Sequence, residues 1–236
     1  QEAKKNFTKF IKKYKKFIKF PKHNIYCIAK NESLLDFGSY LNILDGNNLN
    51  FKQKKYKFLR NIEGSINIKE GIILNSKIKK HYKNKLKKNI KFNKKITDLN
   101  ALSKNYKIII DCTNNLFKNN FKNFIRYILT ISFVYKKRKN SKVYPLTIMD
   151  GKLPSIYPYS DNKNLFTLTH SKYTHIKKFK TFKNLKIYER KISKNLIKHH
   201  RLMSEKSIKN FYKNFDKDLN YKGHFLSYKI IPFGKA

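Results

Sequence analysis

A small polar group follows an apolar run near the middle of the chain. In YKIIIDCTNN, residues 106–115, the apolar run ends at Cys112, Thr113 and Asn114. A continuous apolar run predicts a strand buried on both faces, and ligands of open α/β sheets bind beyond the carboxyl ends of such strands. We therefore expect backbone N–H groups and the Thr113 hydroxyl at this strand end to face a ligand.

Aromatic and imidazole side chains are concentrated in two later segments, LTIMDGKLPSIYPY at 146–159 and LFTLTHSKYTHI at 165–176. The prolines of the first segment predict an irregular extended path after a turn. Four side chains could converge on one face of a sheet as the wall of an aromatic pocket: Tyr157, Tyr159, His170 and Tyr173. The spacing also fits a β-meander with aromatic cross-strand pairs, and spacing alone favours that interpretation.

Other patterns that carry chemistry are missing from the sequence. It has no GxGxxG, P-loop, GxSxG or HExxH motif. The neighbouring His199 and His200 diverge on a helix, and no carboxylate pair suited to acid–base work is evident, so no metal site is predicted. Two cysteines cannot form a disulfide framework. Both lie in apolar surroundings and are predicted to be buried thiols.

The elements that must position these residues follow two different secondary-structure patterns along the chain. Up to residue 111, hydrophobic periodicity predicts an α/β arrangement with helices at 4–19, 33–44 and 76–88 and strands at 24–30, 56–62, 65–69, 90–96 and 106–111. From residue 123 it predicts an antiparallel sheet with strands at 124–135, 143–149, 165–169 and 185–188, then a helix at 192–213 and a strand at 224–231. The first helix fits either a core-facing helix, which we favour, or a basic membrane-surface helix.

The charge of the chain admits two explanations. Its 236 residues include 56 Lys and Arg against 14 Asp and Glu, a net charge of +42, which is typical of nucleic-acid-binding proteins. Only five of the basic residues are Arg, the side chain suited to bidentate phosphate and base contacts. Lys, Asn, Ile, Phe and Tyr are enriched together, which favours the codon bias of an AT-rich genome. A Lys-rich, ribosomal-type nucleic-acid-binding protein stays the alternative function.

Composition excludes several classes of protein. A hydrophobic fraction of 40% with 15% aromatic residues argues against a disordered chain. Seven Gly and five Pro exclude collagen-like sequences. No secretory leader and no apolar run of roughly 20 residues are recognised. A cytoplasmic protein that does not bind membranes is therefore expected.

Several motifs, in order along the chain, resemble FAD-dependent oxidoreductases of the D-amino-acid oxidase type, and more narrowly an uncharacterised bacterial and phage branch of that family. The similar segments are NIYCIAKNESLLDFGSYL at 24–41, INIKEGIILNSKIKKHYKNKL at 66–86, YKIIIDCTNN at 106–115, TIMDGKLPSIYPY with FTLTHSKYTHI at 147–176, and YKGHFLSYKIIPFGKA at 221–236. The family's opening βαβ unit, whose glycine-rich turn holds the FAD pyrophosphate, has no counterpart in this sequence.

The resemblance implies an α+β or α/β fold: an incomplete FAD-binding Rossmann-like half plus an antiparallel substrate-side sheet. The implied divisions are a linking segment at 1–63, part of the FAD-binding domain at 64–122, the substrate-side sheet at 123–190, and a helix and strand returning to the FAD domain at 191–236.

The same resemblance implies a function. The chain would belong to an FAD-dependent oxidoreductase that oxidises an amine, an amino acid or a related small molecule by hydride transfer to the flavin. Cys112, Thr113 and Asn114 would lie beside the FAD. Tyr157, Tyr159, His170 and Tyr173 would be candidates for the substrate or flavin face.

Overall fold

The computed structural model describes residues 2–94, 96, 99–110, 125–159 and 162–232. Its helices are α1 Glu2–Tyr14, α2 Phe37–Gly46, α3 Asn75–Lys85, α4 Leu99–Ser103, α5 Phe182–Arg190, α6 Lys194–Lys209 and α7 Phe215–Asp218, with a 3₁₀ turn at Lys15–Phe17. Its strands are β1 Ile18–Lys19, β2 Ile25–Ala29, β3 Phe51–Gln53, β4 Ile62–Ile68, β5 Ile72–Ile73, β6 Ile125–Lys137, β7 Leu146–Met149, β8 Pro154–Pro158, β9 Leu165–His170, β10 His175–Phe179 and β11 Leu219–Pro232.

Nine strands form one large, mostly antiparallel sheet, and β1 pairs with β5 in a separate two-stranded sheet. The large sheet has the order β10-β6-β9-β8-β7-β2-β4-β3. Strands β10 and β9 share one edge of β6, and β11 pairs with its other edge. Among the described strands, β2 and β7 form the one parallel pairing. The protein is therefore a mixed α/β fold built around an antiparallel sheet.

Strand β6 is the long central element of this sheet. Its sequence, IRYILTISFVYKK, is rich in β-branched and aromatic residues, which favour strands. One edge of β6 pairs with β11 over its whole length, while the other is shared by β10 at residues 127–130 and β9 at residues 133–136. Because both edges are paired and both faces are covered, seven consecutive residues, 127–133, are buried.

Helices lie on both faces of the sheet. Helices α5 and α6 share one face, which we call the helix-covered face, and there Ile208 of α6 joins a core that includes Ile25, Phe133 and Leu168. Helix α2 packs on the opposite face near β2 and β4, where Tyr40 and Leu44 contact Ile28 and Ile66. Strand β2 is therefore buried from both sides.

Side-chain caps fix the start of these three helices. Asp36 accepts a hydrogen bond from the Ser39 N–H at 2.8 Å at the start of α2. Thr181 caps α5 and Ser193 caps α6 in the same way. Such caps satisfy N–H groups that have no partner within the helix. The starts of these helices are thus set by local sequence.

Several predicted elements differ from the structure. Residues 106–110 are not a strand in the described chain, and Ile108 and Ile110 are 79% and 80% exposed, so the prediction of a buried strand is wrong for them. Residues 90–94 form turns and coil. The strand predicted at 56–62 begins only at Ile62, and the strand predicted at 185–188 lies inside α5. Apolar residues alone therefore do not produce a strand at these positions; at 185–188 they pack α5 against β6.

The Rossmann-like half is not confirmed. Between residues 64 and 110 the described chain has the antiparallel strand β4, the short β5, and helices α3 and α4, not a parallel βαβ unit. The domain boundaries stay predictions. The last described strand, β11, pairs with β6 rather than with a strand of this region.

Helix α1 does not face the core, so the interpretation that we favour from its sequence is wrong. Its Phe7 and Phe10 are 47% and 39% exposed. The helix touches the rest of the chain near its end, where Tyr82 donates a hydrogen bond to Tyr14 at 3.1 Å. None of the helices in the described part of the chain is long and apolar enough to cross a membrane.

Candidate functional site

A hydrogen-bonded group of four side chains lies where β2 begins and β8 ends, and we call it the tyrosine–glutamate cluster. It consists of Asn24, Tyr26, Glu70 and Tyr157. One oxygen of Glu70, Oε2, accepts from the Tyr26 hydroxyl at 2.5 Å and from Asn24 Nδ2 at 2.9 Å. The Tyr157 hydroxyl lies 2.9 Å from the Tyr26 oxygen, 3.1 Å from Glu70 Oε2 and 3.3 Å from Asn24 Oδ1.

Three segments that are far apart in sequence bring the cluster together. Tyr26 lies on β2, Tyr157 on β8, and Glu70 in the short connection from β4 to β5. Asn24 holds this connection in place, because its backbone N–H donates to Asn67 Oδ1 at 2.8 Å and its carbonyl accepts from the Ile68 N–H at 3.0 Å. Since Asn24 is fully buried, the carboxylate is held by a rigid partner.

Burial governs the protonation of both tyrosines. Burial raises the pKa of Tyr26 well above its ordinary value, and the hydrogen bond to Glu70 adds to the rise. Burial also raises the pKa of Tyr157. Both phenols are therefore protonated near neutral pH, and each can donate a hydrogen bond. Three acceptors surround the single proton of Tyr157, so the cluster can hold a proton or pass it along.

The cluster continues into a row of hydroxyl side chains on the same face of the sheet, which we call the hydroxyl face. Strand register places Tyr26 opposite Thr147, Thr147 opposite Ser155, and Tyr157 opposite Thr167. Directly opposed residues share a face, and Thr147 also hydrogen-bonds to Tyr157. These side chains are all partly buried, whereas α5 and α6 lie on the other face. The hydroxyl face therefore carries hydrogen-bond donors and acceptors on the side of the sheet that α5 and α6 do not cover.

The four predicted pocket residues separate into two pairs. Tyr157 belongs to the cluster, and Tyr159 follows it by two residues, with its ring 5.6 Å from that of Phe225. His170 and Tyr173 lie instead on the helix-covered face, with ring centroids 4.6 Å apart. The expected convergence of all four on one face is not what the structure shows, because His170 alternates with Thr167 and Thr169 along β9.

His170 is a packed histidine beneath α6. Its Nδ1 accepts from the backbone N–H groups of Lys172 at 3.0 Å and Tyr173 at 3.4 Å, so its Nε2–H donates to Ser207 Oγ at 3.2 Å. The side chain is 3% exposed. Burial, with a further contribution from Lys172, lowers the pKa of His170 to about 4. It is neutral near pH 7, and its contacts are those of a structural residue.

The Asp150-Gly151 turn, predicted from the sequence, is present. Asp150 has a φ of +60° and its carbonyl accepts from the Leu34 N–H at 2.7 Å. A Cβ at Gly151 would lie 2.6 Å from the carbonyl oxygen of Glu32, so a side chain there would push the turn away. This close approach fixes the end of β7 beside the start of α2.

The predicted cofactor residues Cys112, Thr113 and Asn114 lie outside the described residues, so their placement beside a cofactor stays a prediction. Cys27, the other cysteine, is fully buried, and burial raises the pKa of its thiol. Across residues 2–94, 96, 99–110, 125–159 and 162–232, no group of three or more His, Cys, Asp or Glu side chains is arranged to hold a metal ion.

Sequence reasoning missed three of the four cluster residues: Asn24, Tyr26 and Glu70. Tyr26 was taken only as part of an apolar strand. A signal for Glu70 was available, because the chain has 14 acidic residues in all and this one is followed by Gly71 directly after a predicted strand. The contact between positions 26, 70 and 157 requires the sheet topology.

Comparison with known proteins gives one informative match. Across 243 aligned residues the chain is 22% identical to FAD-dependent monooxygenase FPY4 of Fusarium mangiferae, and the alignment covers 99% of this chain and 64% of that protein. The chain thus spans just under two thirds of the relative's length. No protein-family model matches the chain. The match supports a relationship to FAD-dependent oxidoreductases in general, without favouring the D-amino-acid oxidase type.

Proposed function

We propose that the chain belongs to an FAD-dependent oxidoreductase and supplies the sheet that faces its substrate. The observation that carries this proposal is the alignment of nearly the whole chain with the fungal FAD-dependent monooxygenase. The order of the motifs along the sequence, which resembles flavin oxidoreductases, agrees with it. We also propose that the hydroxyl face, which is polar and partly buried, lies beside the flavin.

The residues present fit one side of a flavin site. The two tyrosines and the row of hydroxyls can hydrogen-bond to the polar edge of an isoalloxazine ring or to a substrate beside it. A glycine-rich turn between a strand and a helix, which a dinucleotide pyrophosphate needs, does not occur in the described parts of the chain. For the remaining contacts we propose Cys112, Thr113 and Asn114, as the resemblance of the segment 106–115 to flavin oxidoreductases implies.

The chemistry of the proposed reaction divides between cofactor and chain. When bound, FAD accepts a hydride equivalent from a small organic substrate. The tyrosine–glutamate cluster holds protons at the Tyr26 and Tyr157 hydroxyls and accepts one at Glu70, so it can orient a substrate heteroatom and take up the proton that oxidation releases. An amine, an amino acid or a related small molecule is the substrate class we propose.

The first test is spectroscopic. The full-length gene product is purified, and its visible absorption spectrum is recorded before and after denaturation. We expect flavin absorption bands and release of FAD into the supernatant. A purified, folded product that shows no flavin bands, and that takes up no FAD when it is added, contradicts the proposal.

A second test distinguishes the two reaction types open to such a protein. Turnover under ¹⁸O₂ labels the product if the enzyme is a monooxygenase like its fungal relative. An oxidase instead forms one hydrogen peroxide per product and leaves the product unlabelled. Hydride transfer from the substrate to FAD, with oxygen then reoxidising the flavin, predicts the second result.

The predicted cofactor segment has its own test. Replacing Thr113 by Glu places a bulky negative charge where the FAD phosphates are proposed to approach, and like charges repel. We expect Thr113→Glu to lose most of the bound FAD while circular dichroism stays close to that of the wild type. Thr113→Ser keeps the hydroxyl and is expected to retain FAD. Equal flavin content in the wild type and Thr113→Glu removes this segment from the cofactor site.

A further inference from the structure

A cleft lies at the edge of the large sheet where β2 and β7 begin and β8 ends. Its other side is formed by β1, β5 and the start of α3, so it lies between the large sheet and the two-stranded sheet. Its volume is about 490 Å³, within the range of roughly 300–1,000 Å³ typical of small-molecule sites. No residue of the tyrosine–glutamate cluster lines the cleft, although His23 and Pro158 adjoin Asn24 and Tyr157 in sequence.

The walls of the cleft are mostly apolar and are held by rigid backbone. Three of the five prolines in the chain, Pro21, Pro145 and Pro158, contribute to them. The carbonyl of Pro145 accepts a hydrogen bond from the Ile25 N–H at 2.9 Å, which ties one wall to β2. Because proline fixes its own φ, the cleft is largely formed before any ligand arrives.

Aromatic rings supply flat contact surface in the cleft. Tyr144 packs edge-on against His23, with ring centroids 5.0 Å apart, and stacks on Phe58 at 6.0 Å. Phe20 lies on the facing side, and the Lys69 ammonium is 5.5 Å from its ring centroid. A ligand with a flat or chain-like apolar body would gain contact area from both sides.

The charged side chains that line the cleft are all lysines. Lys19, Lys22 and Lys163 contribute ammonium groups to it, and no Asp or Glu is among its described lining residues. The three salt bridges within the described chain involve Lys186, Arg201 and Lys209 and lie elsewhere. His23 adds no charge near neutral pH, because burial and the nearby Lys54 and Lys22 lower its pKa.

From this combination we propose that the cleft binds an organic anion: a molecule with an apolar or aromatic body and a single carboxylate or sulfonate group. The apolar body would lie between Phe20 and Tyr144, and the anionic group would meet the lysine ammonium groups. A small inorganic anion fits less well, because it would leave the apolar walls in contact with water. A neutral hydrophobic molecule would make no charge-assisted contact with Lys22 or Lys163.

The test uses two naphthalene dyes that differ in charge. 8-Anilinonaphthalene-1-sulfonate carries the sulfonate, and N-phenyl-1-naphthylamine has the same rings without it. Fluorescence titration of the purified 236-residue chain is expected to show saturable binding of one sulfonate dye per chain, with at least about tenfold weaker binding of the neutral dye, since a charge-assisted contact contributes that much. Octanoate is expected to displace the sulfonate dye.

Variants place the binding in the cleft. Lys22→Gln combined with Lys163→Gln is expected to weaken binding of the sulfonate dye about tenfold and leave the neutral dye unchanged. The matched control combines Lys178→Gln with Lys198→Gln, which removes the same charge from β10 and α6 and is expected to bind like the wild type. Equal losses in both double variants mean that net charge alone attracts the dye, which overturns the proposal.

A third variant changes shape without changing charge. A Cβ at Gly71 would lie 2.5 Å from Ile18 Cγ2 and 3.3 Å from the Phe20 ring, so Gly71→Ala shifts the wall that Phe20 forms. We expect weaker binding of both dyes, with an unchanged circular dichroism spectrum. Wild-type affinity for both dyes in this variant and in the lysine double variant contradicts a site in this cleft.

Discussion

At the scale of single residues, the contacts of His170 hold this side chain in its neutral form. Both of its ring nitrogens have partners that fix the proton on Nε2, because Nδ1 faces two backbone N–H groups. Lys172 and Lys206, with Glu32 as the one acidic group, lie around the same small surface cleft. Protonation of Nδ1 would place a positive charge against N–H donors and neighbouring lysines.

This geometry predicts a loss of stability in acid. The pKa of His170 is about 4 in the folded protein and about 6.5 when unfolded, so below pH 6.5 the unfolded chain binds a proton that the folded chain does not. Stability is therefore complete above about pH 6.5 and falls by about 3 kcal/mol as the pH drops to about 4. Urea unfolding of the wild type and of His170→Gln, from pH 4 to 8, measures the difference.

The control for this prediction is the exposed His199. His199→Gln is expected to keep the pH dependence of the wild type, whereas His170→Gln loses part of the acid-side slope. Identical slopes in all three proteins would show that His170 titrates normally.

The tyrosine–glutamate cluster gives a second prediction at the residue scale. Tyr157→Phe removes one of the donors around Glu70, while Asn24 and Tyr26 continue to hold the carboxylate. We expect stability to change by no more than about 1 kcal/mol and turnover of the flavin-loaded enzyme to fall at least tenfold, since positioned proton transfer contributes roughly 10²–10⁴-fold. Tyr159→Phe, one residue beyond the end of β8 and outside the cluster, is the matched control. A Tyr157→Phe enzyme with wild-type turnover and pH profile contradicts the role of the cluster.

At the scale of elements, helix α2 depends on a missing side chain in β4. A Cβ at Gly64 would lie 2.3–2.4 Å from three atoms of the Phe37 ring, so the helix can approach the strand because that position is glycine. We expect Gly64→Ala to destabilise the protein by about 1–3 kcal/mol, as overpacking does. Thermal or urea unfolding measures the effect.

Gly46, at the end of the same helix, provides the comparison. A Cβ there would meet no atom within 4 Å, so Gly46→Ala is expected to be neutral or to stabilise the protein by up to about 1 kcal/mol through helix propensity. If the two alanine variants have the same stability, the packing of the Phe37 ring of α2 against Gly64 does not explain why this position is glycine.

Local sequence predicts the elements that have strong residue patterns. It does not predict elements whose structure depends on contacts with distant parts of the chain. The run 124–135 is so rich in β-branched and aromatic residues that it predicts β6 directly. The segment at 185–188 is apolar too, yet it belongs to α5, because Thr181 caps a helix just before it. The tyrosine–glutamate cluster combines residues 131 positions apart, so composition and spacing could identify Tyr157 but not its partners.

At the scale of the whole molecule, a net charge of +42 opposes the compact state through self-repulsion. Few carboxylates are present to offset it, and the described chain has three salt bridges. Added salt screens the repulsion, because the Debye length falls from about 30 Å at 0.01 M to about 10 Å at 0.1 M. We expect the melting temperature to rise by about 5 °C between 10 and 300 mM NaCl, a size typical of 1–2 kcal/mol in a chain of this length.

Potassium chloride at equal ionic strength distinguishes screening from specific ion binding. The same rise with both salts is expected if screening is the cause. A melting temperature that stays constant, or that falls with salt, would mean that attractive ion pairs outweigh the repulsion among lysines.

The pairing of β6 with β11 has a consequence for synthesis on the ribosome. The nearest residues of the two strands, Lys137 and Leu219, are 82 positions apart in the chain. Strand β6 therefore leaves the exit tunnel with one long edge open, and that edge stays without its partner until more than eighty further residues have been translated. An apolar, β-branched edge of this kind can pair with another nascent chain. Ribosomes that pause between the codons for residues 138 and 219 would prolong this exposure and would favour pairing between nascent chains on one messenger.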